Sequence, residues 1–236
     1  MKVALLGHGR MARVVEAHAR DAGHEIGAIV TSRNAADAAR LLAGHDVAID
    51  FSVPAVVPAH VEACAVAGVP LVEGTTAWQS QEAAVRRLVE ERGTALVYGA
   101  NFSIGANLFL RIVTQAAGLC GGIAGYEPFI EEAHHAGKRD APSGTALLLK
   151  EILVRVLGRP DVPVASTRAG SIPGTHRVGF DSAGDQITLA HVARSRDGFA
   201  AGALLAASWV LGRRGVFSFA SVLDDVLARE QKGGAV

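Results

Sequence analysis

The sequence predicts an α/β protein in two parts, a doubly wound parallel sheet followed by a second α+β domain built on a mixed sheet. Three observations carry that prediction. Over the first hundred residues short apolar runs alternate with helical stretches, and runs that are apolar on both faces belong to a parallel sheet covered on both sides. A glycine-rich turn, GHGRMA at 7–12, follows the first run directly and opens the first helix. After Asn101 the pattern changes to a long apolar helix, a glycine-punctuated stretch and loosely alternating segments.

Taken in order, Lys2–Leu6, Glu25–Val30, Val47–Phe51, Pro70–Val72 and Ala95–Tyr98 read as strands, with helices over Met11–Ala22, Val56–Ala67 and Gln79–Arg92. Beyond them Ser103–Leu119 and Pro142–Leu157 read as helices, and Tyr126–Glu132 alternates. Glycines, a proline and arginines make Ala165–Phe180 a loop or irregular strand. Asp185–Arg194 alternates as a strand, and Phe199–Leu211 is an apolar helix. A short strand or turn and a helix end the chain over Gly215–Ala228. The expected division is residues 1–102 with 212–236 as one domain and 103–211 as the other, with Asn101-Phe102 a hinge.

Composition narrows the function. Lys plus Arg and Asp plus Glu balance at 23 each, so no charge excess points to nucleic acid or a membrane surface. No run of about 20 apolar residues suggests a span. Cys64 and Cys120 lack metal spacing and suit the core of a reduced, cytoplasmic protein.

In the turn at 7–12, Gly7 makes the bend, Gly9 lets backbone approach a pyrophosphate, and Ala12 lets helix and strand pack closely. The helix start supplies free N–H groups and the positive dipole end. His8, Arg10 and Met11 complete this dinucleotide loop, which makes the first half Rossmann-type. A ribose-binding carboxylate is expected at the end of the second strand, where Ser32 and Arg33 stand. Nothing there repels a 2′-phosphate and Arg33 can pair with one, which favours NADPH over NADH.

The densest chemistry is EEAHHAGKRDAPSGTA at 131–146. Pro142 suits a first helical turn, so the N–H groups of Ser143, Gly144 and Thr145 fall where no helical carbonyl pairs them. With Lys138 just upstream and the Thr145 hydroxyl beside it, this is a carboxylate site. His134 and His135 point to opposite sides of an extended chain, so one imidazole is free to act as a general acid. Glu131, Glu132, His134 and His135 match no standard ligand spacing, and no metal is expected.

That stretch resembles the signature of the 4-hydroxy-tetrahydrodipicolinate (dihydrodipicolinate) reductase family. GHGRMA, DFSVP at 50–54, EGTT at 73–76, GANFSIGAN at 99–107, TRAG at 167–170 and SRDGFAAGA at 195–203 follow in family order. The resemblance implies hydride transfer from NADPH or NADH to a cyclic imine dicarboxylate in lysine and diaminopimelate biosynthesis. It implies His134 as general acid, Lys138 as proton donor or electrostatic stabiliser, and His135, Gly144 and Thr145 as carboxylate ligands. Arg196 matches a family arginine near that site. Gly74, Thr75 and Thr76, with Gly99, Ala100, Asn101 and Phe102, would line the ribose and nicotinamide, at strand ends where open sheets bind ligands.

A homotetramer assembled through the second domain's sheet, with Asp185–Arg194 contributing, is also implied. The chain departs from the family in carrying Ala12 for a third glycine, Ser32 for a frequent carboxylate, and short loops after strand two and around 158–166. Two rival readings are an aspartate dehydrogenase-like oxidoreductase and a non-catalytic NAD(P)-binding sensor. The HHxxK string beside an anion-binding helix start argues against both.

Overall fold

The computed structural model describes residues 1–233, with side chains to Arg229; the last three positions of the expected 212–236 segment lie outside the described residues. Two compact units result, Met1–Ile104 with the segment from Arg196 onward, and Gly105–Ser195.

The first unit is a six-stranded parallel sheet. Its strands are β1 (Lys2–Leu6), β2 (Glu25–Val30), β3 (Val47–Asp50), β4 (Leu71–Glu73), β5 (Ala95–Tyr98) and β10 (Gly215–Ser218), in the order β10-β5-β4-β3-β1-β2. The connecting helices are α1 (Arg10–Asp21), α2 (Ala38–Leu42), α3 (Val57–Ala67) and α4 (Glu82–Arg92). All residues of β3 and β4 are buried, as their apolar runs require. One core layer gathers Val3, Leu5, Ile49, Val72 and Val97, and the other Ala4, Leu6, Ala48, Leu71 and Leu96. This is the alternation of a strand whose two faces are both covered. The strand order reverses between β1 and β3, the switch point at which such sheets bind ligands.

Helix α7 (Asp197–Val210) belongs to this unit, a correction to the expected boundary at 211. Its small residues Ala200, Ala203, Ala206 and Ala207 join the core layer with Val3 and Ile49. Phe102 packs on Phe219 of the last helix, α8 (Phe219–Gly233), with ring centroids 4.6 Å apart. The short α2, between two expected strands, is an element that the sequence reading passed over.

The second unit holds α5 (Ile104–Gly121, from Gly105 onward), β6 (Glu127–His134), α6 (Gly144–Leu157), β7 (Val164–Arg168), β8 (Thr175–Asp181) and β9 (Gln186–Val192). The sheet order is β7-β6-β8-β9, mixed as expected, with β6 and β7 parallel and the other pairs antiparallel. Ala165–Phe180 is therefore mostly strand, the second of its two expected alternatives, in two regular pieces. Their polar residues find partners across the sheet, Arg177 on Glu131 and Arg168 on Glu132. Phe109, Val113 and Ala117 of α5, Ile130 of β6, Leu149 and Leu153 of α6, and Val178 and Phe180 of β8 form one core.

At 18 residues and mean hydropathy 1.2, α5 has the length and composition of a membrane span, but its Phe109, Val113 and Ala117 are buried in this core. Those three side chains place it as a core helix of this unit. Cys64 is buried as expected, but Cys120 is only half-buried.

Candidate active site

In the first unit the ends of β1, β3, β4 and β5 carry the residues singled out in the sequence. Gly7 sits at φ +83°, and a Cβ there would come within 3.2 Å of Ser52. Both the conformation and the approach need glycine. A Cβ on Gly9, the N-cap of α1, would meet nothing within 4 Å, and among the described residues no side chain caps that helix. The N–H groups of Arg10, Met11 and Ala12 thus open the helix without helical partners, in a shape that fits a pyrophosphate. His8 turns away to Glu16, with Nε2 2.8 Å from Oε2.

The turn after β2 is braced by Asn34. Its Oδ1 accepts the Thr31 N–H at 2.7 Å, and its Nδ2 donates to Ile29 O at 3.0 Å. Ser32 and Arg33 stand exposed on that turn, and the next carboxylate along, Asp37, faces Arg40 at 3.4 Å. At the end of β4, Gly74 is required because a Cβ would enter the Phe51 ring at 2.1 Å. Thr75 is buried and Thr76 exposed. Gly99, Ala100, Asn101 and Phe102 follow β5; the Asn101 Oδ1 accepts the Ser103 N–H at 2.8 Å. Ser52, whose N–H reaches Thr75 Oγ1 at 3.2 Å, belongs with these residues. It lies inside DFSVP, but nothing in its type marked it as a site residue.

In the second unit, β6 runs through His134. Alternation buries Glu132 and His134 on one side, and His135, one residue past the strand's end, is exposed. Glu132, weighed in the sequence only as a metal ligand, has a different role here. Its side chain has no exposed surface, and Arg168 grips both oxygens, Nη2 at 2.7 Å and Nη1 at 2.9 Å. Glu132 Oε2 lies 2.5 Å from His134 Nδ1, and Oε1 accepts the Ser143 N–H at 3.3 Å. Burial pushes this carboxyl up, but hydrogen bonds from Arg168, Ser166 and His134 outweigh it and hold it at about 2. An ionised Glu132 fixes the His134 ring and its tautomer, leaving Nε2 as the reactive nitrogen. That atom lies against Gly174, where a Cβ would be 3.2 Å away.

Arg168 also donates to Asp140 O at 2.5 Å, while Ala136 N–H reaches Gly170 O at 3.1 Å. The loop carrying Lys138 is thus tied to the TRAG segment. Lys138 Nζ is held 2.8 Å from both Asp140 oxygens. Helix α6 starts at Gly144, two residues later than expected, because Ser143 is its cap and accepts the Ala146 N–H at 3.2 Å. With the Ser143 N–H on Glu132, the first-turn groups left for an anion are those of Gly144 and Thr145.

His176 completes the cluster: Nε2 is 3.0 Å from Ser143 Oγ, and its ring meets His134 edge-on at 5.1 Å. Burial first, and the neighbouring His134 second, push it down to about 4. Donor atoms of Glu132, His134 and His176 lie within 4.8 Å of one another, but both Glu132 oxygens are engaged by a guanidinium, a poor arrangement for a cation. Arg196 lies in the first unit, exposed, immediately before α7.

A family model described as the N-terminus of dihydrodipicolinate reductase matches residues 1–102, and one described as its C-terminus matches residues 105–223. A relative from Christiangramia forsetii named 4-hydroxy-tetrahydrodipicolinate reductase is 34% identical over 244 residues, covering 96% of this chain and 99% of the relative. A namesake from Myxococcus xanthus is 39% identical over 197 residues, covering 75% and 72%. The solved dipicolinate-bound dihydrodipicolinate reductase from Paenisporosarcina sp. TG-14 shares the fold. It has a TM-score of 0.77 at 22% identity and covers 92% of this chain and 97% of its own.

Proposed function

The chain belongs to the dihydrodipicolinate reductase family, an NAD(P)H-dependent oxidoreductase of lysine and diaminopimelate biosynthesis, and from that premise we propose how its residues divide the work. The substrate is 4-hydroxy-tetrahydrodipicolinate or its dehydrated form, and the product tetrahydrodipicolinate. The observation that carries the reading is the buried His134 imidazole, oriented by an ionised Glu132 at the end of β6.

Gly7 to Ala12 hold the cofactor pyrophosphate, and Gly74 to Thr76 with Gly99 to Phe102 line its ribose and nicotinamide. Ser32 and Arg33 receive a 2′-phosphate, which makes NADPH the preferred form; the braced turn and its lack of a free carboxylate support this. Bound there, the cofactor supplies hydride. His135, Gly144 and Thr145 hold the substrate carboxylates, the last two by N–H groups at a helix start. His134 delivers a proton from Nε2 while Glu132 holds Nδ1. Lys138 stabilises negative charge developing on the substrate, and Arg196 is its further cationic contact. Residues 1–104 and 196–233 form the cofactor unit, and 105–195 the substrate unit.

The second sheet's β9 leaves Ile187 and Val192 exposed, which supports assembly of a homotetramer through that sheet, in the cytoplasm.

The test is NADPH or NADH oxidation followed by absorbance, with substrate made in situ from pyruvate and aspartate semialdehyde by the preceding synthase. His134→Gln is expected to lower kcat by about a hundredfold or more, in the range of general acid catalysis. Lys138→Ala lowers it too, and neither changes cofactor affinity. Wild-type turnover in His134→Gln would overturn the assignment, and NADH turning over faster than NADPH would overturn the role of Ser32 and Arg33.

A further inference from the structure

Two carboxyl side chains lie side by side in the core of the first unit, and the chemistry above uses neither. Asp50 and Glu73 end β3 and β4, stand opposite each other in the parallel register, and are wholly buried. Asp50 is well supplied with donors: Oδ1 accepts the Ser52 N–H at 2.7 Å, and Oδ2 lies 2.6 Å from His60 Nδ1. Glu73 is not. Its Oε1 accepts the Thr75 N–H at 2.7 Å, but Oε2, buried, has no donor among the described residues.

A bare carboxylate oxygen in the core is costly. A protonated carboxyl avoids that cost, since its O–H becomes a donor and Asp50 beside it is the acceptor. Burial first, and the Asp50 charge second, push the Glu73 carboxyl up to about 9. Among the described residues, the other groups facing the pair set no cation on Glu73. From α3 come His60, engaged by Asp50, and the Cys64 thiol, pushed up by burial and then by both carboxyls. From β5 comes Tyr98, opposite Glu73 in register. Arg86 of α4 is engaged by the Tyr98 hydroxyl at 2.8 Å and by Glu82.

The two carboxyls, with the Asp50 main-chain carbonyl, hold the backbone of the strand ends. Thr75 N–H rests on Glu73, Gly74 N–H on Asp50 O at 2.9 Å, and Ser52 N–H on both Asp50 and Thr75 Oγ1. Ser52 in turn abuts Gly7. We propose that Glu73 is a positioning residue whose protonated carboxyl, bonded to Asp50, latches the ends of β3 and β4 in the form that receives the nicotinamide cofactor. This rests on the reading of Gly74 to Thr76 as part of the cofactor site. Removing the proton sets a second buried negative charge beside Asp50, and the Thr75 loop moves to admit water. The latch holds below about pH 9 and opens as pH rises through it.

The test is fluorescence titration of the intact protein with NADPH from pH 6.5 to 10, for wild type, Glu73→Gln and Glu73→Ala, with circular dichroism on the same samples. Wild-type affinity is expected to fall about tenfold between pH 8 and 10, as one-proton linkage requires. Glu73→Gln, whose amide N–H₂ replaces the acid O–H toward Asp50, keeps wild-type affinity at pH 7 and loses that pH dependence. Glu73→Ala binds several-fold more weakly throughout. Binding with one shared pH profile in wild type and Glu73→Gln overturns the inference alone. Absence of binding by all three folded proteins at pH 7 overturns the cofactor reading and the inference with it.

Discussion

Glu132 of β6 and Glu73 of β4 are the same side chain in the same kind of place, fully buried near a strand end, yet they carry opposite charge states. Glu132 meets a guanidinium fork, an imidazole and a backbone N–H, and it ionises at about 2. Glu73 meets another carboxyl and only the N–H and hydroxyl of Thr75, and it holds its proton to about 9. Burial opposes charge in both cases; what differs is the partner. In the second unit the partner, Arg168, creates a charge that orients an imidazole. In the first, the lack of a cation leaves a neutral acid that can tie two strands.

The largest consequence is that the two units weaken at opposite ends of the pH scale. Glu73 is raised in the folded state, so between about 4.5 and 9 the folded chain holds a proton that the unfolded chain has released. Stability therefore falls as pH rises through that window. His176 is lowered to about 4 and Glu132 to about 2. What they contribute is complete above about 6.5 and 4.5 respectively, and is lost as pH falls toward the folded values. Amide protection, relative to the intrinsic exchange rate at each pH, should thus fall in β3 and β4 at pH 9 and in β6 and β8 at pH 4. Glu73→Gln should flatten the alkaline limb of thermal denaturation and leave the acid limb alone. An unchanged alkaline limb in that variant would mean that Glu73 is already ionised at neutral pH.

The two clusters were also unequally legible. The parallel half announced itself because each buried strand is a local apolar run and the Gly7 turn is contiguous. The burial of His134 beside Glu132 on one side of β6 follows from alternation alone. The partners that give Glu132 its charge were hidden by distance, since Arg168 lies 36 residues away in sequence. The same distance left Ala165–Phe180 open between loop and irregular strand: the partners of its arginines and His176, which are Glu131, Glu132 and Ser143, lie on β6 and in the segment after it. Helix α7 was placed in the wrong half because an Ala-rich apolar helix fits a close-packed surface without naming it. The Asp50–Glu73 pair needed the strand register, which no local pattern contains.

Breaking the guanidinium partner sharpens the contrast next. Arg168→Met strips Glu132 of its cation while leaving it buried, and removing one member of such a pair is strongly destabilising. A fall in melting temperature of about 10 °C is expected for a chain of this size, together with loss of the His134 orientation and hence of kcat. Adding Glu132→Gln should recover part of the melting temperature and none of the turnover, because a neutral amide tolerates burial but does not hold an imidazole as a carboxylate does. Recovery of both would show that Glu132 is needed only for packing.

The smallest effect isolates burial from pairing, using the residue next door. Glu131 also carries an arginine, Arg177, from the neighbouring strand β8, but on the opposite side of β6, where both side chains are about four-tenths exposed. Water there already solvates the carboxylate, and the pair adds little beyond it. Arg177→Ala is expected to shift the melting temperature by under about 3 °C. A small further loss comes from the guanidinium over the Phe129 ring, 5.7 Å from its centroid. Turnover should stay within about twofold, since neither residue touches His134 or Lys138. A shift as large as that of Arg168→Met would mean that this face of the sheet is itself covered in solution. Exposure in the single chain would then no longer explain why one Glu–Arg pair matters and its neighbour does not.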